Sequence, residues 1–108
     1  MNAEYADIIQ YDTFPKLLAY NAQNWPNEIA LREKEFGIWN AYSWSDYQSM
    51  VKNFALGMHK LGIKKDDSVG IIGDNRPEWV ASEIASHALR AMIFGIYQDS
   101  LNEEVAYL

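Results

Sequence analysis

The residues able to do chemistry are few and scattered. Asp74 closes an apolar run, Ser68-Val69-Gly70-Ile71-Ile72-Gly73, and stands just before a helix start. Open α/β sheets hold ligands at the carboxyl ends of their strands, so an acid placed there could face a nucleotide. The competing role is plainer: Asp74 or Asn75 caps the following helix, which is the usual work of such residues at that place. Gly70 and Gly73 precede the same helix, but the spacing is G-x-x-G and not G-x-G-x-x-G. Where an acid should then meet a ribose stand Phe94, Gly95 and Ile96. Gly70 reads as a strand glycine under close packing. His59 and His87 each sit on a predicted helix. Glu83 lies one turn before His87 and gives a Glu–His pair, but not the converging set of ligands that a metal requires. Asp66-Asp67 and Glu103-Glu104 are adjacent, so neither pair shares a helix face; they read as a turn and a helix N-terminus. No serine occupies a nucleophile elbow, and no Lys/Ser/Gly-rich phosphate loop occurs. These residues supply no catalytic, cofactor-binding or metal-binding set.

Composition narrows the classes further. Fifteen acids against nine bases give a net charge of −6, and no basic cluster exceeds Lys64-Lys65. Phosphate-driven binding to nucleic acid is therefore disfavoured. The absence of cysteine excludes disulfides, a thiolate nucleophile and cysteine-ligated zinc. Met1 to Asp7 carries acids and no basic n-region, so it does not read as a secretory signal. No apolar run reaches the length of a membrane span, and a cytoplasmic protein is the expectation. With 49% apolar residues, four Trp, seven Tyr and four Phe in 108 residues, the chain can bury one modest core.

The elements that must position these residues follow from periodicity. Ser68–Gly73 and Met92–Tyr97 are apolar runs joined by a helix from Trp79 to Ala91. Two buried runs with a helical crossover predict a parallel βαβ unit, its strands covered on both faces. Asn75 with Glu78 three residues on, and Pro77 between them, reads as a capped helix start. Ser100 with Glu103 and Ser45 with Gln48 read as two more capping boxes. Upstream, an irregular lead to Asp12 gives way to a helix capped by Thr13, with Phe14, Leu17, Leu18 and Ala22 on one stripe. Ile29–Lys34 and Trp39–Trp44 read as a hairpin turning through Glu35-Phe36-Gly37-Ile38, although their alternation is imperfect. Tyr47, Met50, Val51, Phe54, Met58 and Leu61 recur at helical spacing until Gly62, where Ile63 should fold back over Met58.

Gly62-Ile63-Lys64-Lys65-Asp66-Asp67-Ser68-Val69-Gly70-Ile71-Ile72-Gly73-Asp74-Asn75-Arg76-Pro77-Glu78-Trp79 resembles the N-terminal region of AMP-forming acyl-CoA synthetases, in which a G-[VI]-x-x-G-D-x-V-x-I-x-x-x-N-R-x-E-W pattern is typical. Thr13-Phe14, Tyr42-Ser43-Trp44 leading into Ser45-Asp46-Tyr47, and Ile96-Tyr97 before a capped helix fit in the same order. Tyr97-Gln98-Asp99-Ser100 looks more like the long-chain fatty-acyl branch. The resemblance runs from about Thr13 onward and is most specific at Asn75–Trp79. Two departures stand out: Ser68 where an Arg or its neighbour is frequent, and Arg90-Ala91 in place of a common Gly-Ala.

The resemblance implies an α/β N-terminal fragment of a large adenylation domain, with a β-hairpin and a parallel βαβ unit flanked by helices. On this reading residues 1–108 form a partial subdomain that breaks off within its last helix. It implies a parent enzyme that activates a fatty acid with ATP and magnesium to an acyl-adenylate, then transfers the acyl group to coenzyme A. The family's phosphate loop, its adenine and ribose contacts and its hinge lysine match no position here. No catalytic, cofactor-binding or metal-binding residue is carried over, and the fragment alone is expected to be inactive. Asn75–Trp79 then serves as a helix-entry device. Sheet edges left without neighbours predict self-association. A stand-alone α/β interaction module without chemistry is the alternative, and a nucleotide-binding domain using Asp74 a weaker third.

Overall fold

The computed structural model describes residues 10–108. In chain order it contains α1 (Phe14–Asn24), β1 (Ile29–Glu35), β2 (Ile38–Ser43), α2 (Trp44–Lys60), β3 (Ser68–Ile72), α3 (Pro77–Ala88), β4 (Met92–Ile96) and α4 (Asn102–Tyr107). The expected irregular lead falls largely on residues 1–9, outside the described residues. β1 and β2 pair antiparallel, β3 and β4 pair parallel, and the two sheets are separate. The architecture is the expected α/β one, a hairpin and a βαβ unit among helices.

The hairpin turns through Phe36 and Gly37, both left-handed at φ 50° and 78°. Two consecutive residues with positive φ match the right-handed twist of paired strands, which sets the register from Glu35 opposite Ile38 to Leu31 opposite Tyr42. The imperfect alternation has a structural cause. The register shifts between Ile29 and Leu31, and this bulge lets both Ala30 and Leu31 pack toward the body.

The core lies where α1, α2 and α3 meet the base of the hairpin. Leu18, Tyr47, Val51, Ala81 and Ala85 form its buried centre, with Leu31, Trp44, Met50, Phe54, Met58 and Ile84 packed around it. Ala81 and Ala85 have no exposed surface. Small side chains on that face of α3 let the neighbouring helices approach closely. Buried Ser86, on the same helix, donates to the Ser82 carbonyl at 2.8 Å, as a polar group without solvent must. Phe14 departs from the predicted stripe: it is exposed and leans against the His87 ring at 5.9 Å. Leu61, at the end of the α2 stripe, is also exposed.

Several helix boundaries differ from the sequence expectation. α1 is capped by Thr13 as predicted, with the Lys16 amide donating to its hydroxyl at 3.3 Å. α2 begins two residues earlier than expected. Ser43 and Asp46 form its capping box, the Asp46 amide donating to the Ser43 hydroxyl at 3.1 Å and the Ser43 amide to the Asp46 carboxylate at 2.9 Å. Ser45 and Gln48 do not fill that role, because the strand ends at Ser43 and the next residue is already helical. α3 is capped at Arg76, without a side-chain bond, so Asn75 and Glu78 make no capping box. Pro77 dictates this start: it is pre-set for the first helical position and holds the residue before it extended, here at φ −122° and ψ 162°. At α4 the Leu101 amide donates to the Glu104 carboxylate at 2.9 Å, one residue beyond the expected Ser100–Glu103 pair.

The strands β3 and β4 start where the predicted runs start and each ends one residue earlier, and they are not covered on both faces. Ile72 and Met92 are exposed, since α3 covers one side of a sheet only two strands wide. At the far ends of α2 and α3 the chain turns in the same way twice. The Gly62 amide donates to His59 and the Ile63 amide to Met58, at 3.0 and 3.1 Å; the Arg90 amide donates to His87 and the Ala91 amide to Ser86, both at 3.0 Å. Both are complete Schellman motifs, the first on a glycine at φ 95° and the second on an arginine at φ 61°.

Candidate functional site

The turn from β3 into α3 is where the two sheets are joined. Pro77 keeps Arg76 extended, and this places its guanidinium against the inward side of β1. Arg76 Nε donates to Glu33 Oε1 at 3.0 Å, its other nitrogen lies 3.6 Å from Glu35, and Glu78 flanks it at 3.7 Å. The Tyr42 hydroxyl donates to Glu33 Oε2 at 3.3 Å from the opposite strand. Glu33 therefore uses both oxygens, and its side chain is only 13% exposed. The hydrogen bond and charge of Glu33, with Glu78 and Glu35 behind, raise the Arg76 pKa above its ordinary value. Desolvation first, and then the neighbouring Glu33 carboxylate, raise that of Tyr42.

Around this knot lies an open cleft of ≈ 700 Å³ between the distal half of the hairpin and the turn, with Trp39 and Trp79 among its walls. A second crevice of ≈ 590 Å³ opens at the carboxyl ends of β3 and β4. There Asp74 accepts from Gln98 Nε2 at 2.7 Å, so the turn is tied to β4 as well as to the hairpin. Asp74 thus neither caps α3 through its side chain nor stands free. The arrangement is a clamp: a guanidinium bonded to Glu33 and a carboxylate bonded to Gln98 hold three consecutive residues of backbone from two sides.

The other candidates remain apart. Gly70 lies in β3 opposite Phe94, where an added Cβ would come within 2.9 Å of the Phe94 ring. Close packing explains it. His87 meets Glu83 at 3.7 Å as predicted, while His59 is exposed near the end of α2. Among the described residues no three His, Cys, Asp or Glu side chains converge on a metal-sized site. Asp67 accepts from the Lys64 amide at 2.8 Å, and the Asp66 amide donates to the Arg90 carbonyl at 3.0 Å, so this pair builds a turn. Glu33, Tyr42 and Gln98 were not singled out in the sequence. The available signal for Glu33 was a charged residue in the inward phase of a strand.

Residues 18–108 match the profile of a family described as AMP-binding enzyme. Two curated relatives are long-chain-fatty-acid–CoA ligases. ACSBG1 of Homo sapiens is 36% identical over 80 residues, 74% of this chain and 11% of that protein. Heimdall of Drosophila melanogaster is 30% identical over 110 residues, 98% of this chain and 16% of that protein. The chain thus spans between a ninth and a sixth of the length of these relatives. Among solved structures, the fatty acid AMP ligase from Legionella pneumophila superposes with a TM-score of 0.82 at 12% identity, over 95% of this chain and 18% of that one. At that identity the likeness concerns the fold.

Proposed function

The chain belongs to the AMP-binding enzyme family, and on that footing we propose that residues 1–108 are a partial N-terminal subdomain of the large adenylation domain of a long-chain fatty-acid–CoA ligase. The observation that carries this reading is the family match from residue 18 to residue 108, which includes Asn75-Arg76-Pro77-Glu78-Trp79. The fatty-acid–CoA ligase names of the curated relatives support the substrate class. On this proposal the parent enzyme consumes a fatty acid, ATP and coenzyme A with magnesium, in the cytoplasm.

The crevice at the carboxyl ends of β3 and β4 offers a triphosphate no lysine or arginine among its lining residues. The crevice at the strand ends carries the Asp74 carboxylate, paired with neutral Gln98 and not with a cation. An acid at that position opposes a polyanion. The proposal therefore assigns ATP, magnesium and coenzyme A to other parts of the parent, and this chain to building and positioning the sheet. The chain alone is expected to be inactive and to self-associate through the open edges of its two-stranded sheets.

The test is exchange of pyrophosphate into ATP. The intact parent should show fatty-acid-dependent exchange and residues 1–108 none. Exchange by the short chain would reveal a site missed here, and an inactive parent would favour a free-standing interaction module. Sedimentation of the short chain should show dimers or larger species, and a strict monomer would refute the edge argument.

A further inference from the structure

Gly57 is a glycine that the fold of this chain does not require. Gly37 and Gly62 take left-handed turns and Gly70 lies against the Phe94 ring, whereas Gly57 sits inside α2, where an added Cβ would meet no atom within 4 Å. Glycine in a helix interior is less stable than alanine, so its presence there has a cost with no return inside the molecule. The missing side chain leaves a dent of ≈ 370 Å³ on α2, lined by Asn53, Phe54, Gly57, Met58 and Leu61. Phe54 and Met58 also pack on the core and are half-buried, while Leu61 is 85% exposed. The surroundings of the dent are basic. From Tyr47 to Lys65 the sequence holds four lysines and no acid, in a chain of net charge −6. Lys60 precedes Leu61, Lys64 and Lys65 follow in the turn, and the bond from the Asp66 amide to the Arg90 carbonyl brings Arg90 to the same end. These four cations are exposed and make no ion pair among the described residues. Of the two acids beside them, Asp67 is folded back on the Lys64 amide and Asp66 is exposed.

We propose that this face of α2 receives an acidic amphipathic helix of a partner protein, its apolar stripe crossing at Gly57 and its carboxylates meeting Lys60, Lys64, Lys65 and Arg90. How closely two helix axes approach depends on the side chains where they cross, and a glycine there allows the closest approach. An apolar helix face laid on an apolar groove is a recurrent mode of recognition, and complementary charge at the rim selects the partner. A second copy of α2 would set these lysines against one another, and a concave dent suits inserted side chains better than a bilayer surface. The inference does not depend on the ligase reading, and its test reads peptide binding, not acyl transfer.

The probe is a stapled helical peptide with a leucine stripe flanked by glutamates, titrated into the intact protein carrying this chain and followed by fluorescence anisotropy. Binding should saturate, weaken as salt rises, and fall by about tenfold or more when lysines replace the glutamates. Gly57→Leu fills the dent and should weaken binding by about tenfold or more. Gly57→Ala adds only a methyl with open space around it, and should raise the urea midpoint. Lys60→Glu with Lys64→Glu should weaken binding by roughly tenfold and remove most of its salt dependence. Leu56→Ser, at an exposed apolar position on the other side of α2, should leave binding unchanged. No binding by the intact protein, equal binding of the lysine peptide, Gly57→Leu or the double lysine variant binding like the parent, or an equal loss on Leu56→Ser would each overturn the proposal. A lower urea midpoint for Gly57→Ala would also overturn it, by giving the glycine a reason within the fold. So would a Gly57→Leu variant with a changed oligomeric state, or one that loses flotation with acidic vesicles, since these would assign the face to a second copy or to lipid.

Discussion

Replacing Arg90 by glycine should stabilise this chain, and the size of the gain can be worked from its two matching helix ends. In both Schellman motifs the backbone bonds are the same, but the left-handed position holds Gly62 after α2 and Arg90 after α3. A left-handed L-residue is disfavoured by roughly 1–2 kcal/mol through the clash of Cβ with the following carbonyl. Glycine avoids that clash but loses about 0.5–1 kcal/mol more chain entropy on folding. Arg90 is exposed and makes no ion pair among the described residues, so its side chain contributes neither buried packing nor a salt bridge that the substitution would remove. Its carbonyl still accepts from Asp66. Arg90→Gly should therefore gain about 0.5–1 kcal/mol, which for a domain of this size raises Tm by about 2–8 °C. Gly62→Ala is the mirror experiment. Nothing lies within 4 Å of the added methyl, so the loss of about 1 kcal/mol would come from backbone strain at φ 95°. Urea unfolding followed by far-UV circular dichroism measures both. An Arg90→Gly chain no more stable than the parent, or a Gly62→Ala chain with no loss, would refute the reasoning.

Gly70→Ala places a methyl 2.9 Å from Phe94 Cζ and 3.0 Å from Ile96 Cδ1, so it should destabilise by about 1–3 kcal/mol. Adding Phe94→Leu should restore most of that stability in the same denaturation assay, and a Gly70→Ala chain as stable as the parent would rule out close packing as the reason for this glycine. Ser43→Ala removes the oxygen that receives the Asp46 amide, and a loss of about 1 kcal/mol in urea is expected. Burial, followed by the Glu83 charge, pushes the Tyr47 pKa from 10.0 to about 12. The folded state therefore holds this proton more tightly than the unfolded one, and stability should be full below pH 10 and fall between pH 10 and about 12. Tyr47→Phe should flatten that fall when unfolding is compared at pH 9 and pH 11.

The elements with local signals were legible in the sequence. The apolar runs, the Phe36-Gly37 turn, Gly62 with Ile63 folded back, and the cap at Thr13 each declare themselves within a few residues. Parallel pairing of β3 and β4 followed from the helical crossover between them. The helix starts were less legible, because several candidate caps compete within a few positions and tertiary context chooses among them. Pro77 overrode Asn75, and the end of β2 selected Ser43 over Ser45. The clamp was not legible: Glu33 and Arg76 are far apart in the chain, and only the packing of the hairpin onto the turn brings them together. The uncovered face of β3 and β4 has a similar cause, since an apolar run does not reveal how many layers will cover it.

The clamp at Arg76 also has a mechanical consequence. The hairpin grips the chain at Arg76, while two residues earlier Asp74 is tethered to Gln98 beyond the end of β4. A lateral load on the hairpin is therefore delivered through one short stretch of backbone to the margin of the parallel strands. The lever and the surface it would tilt are coupled across only three residues.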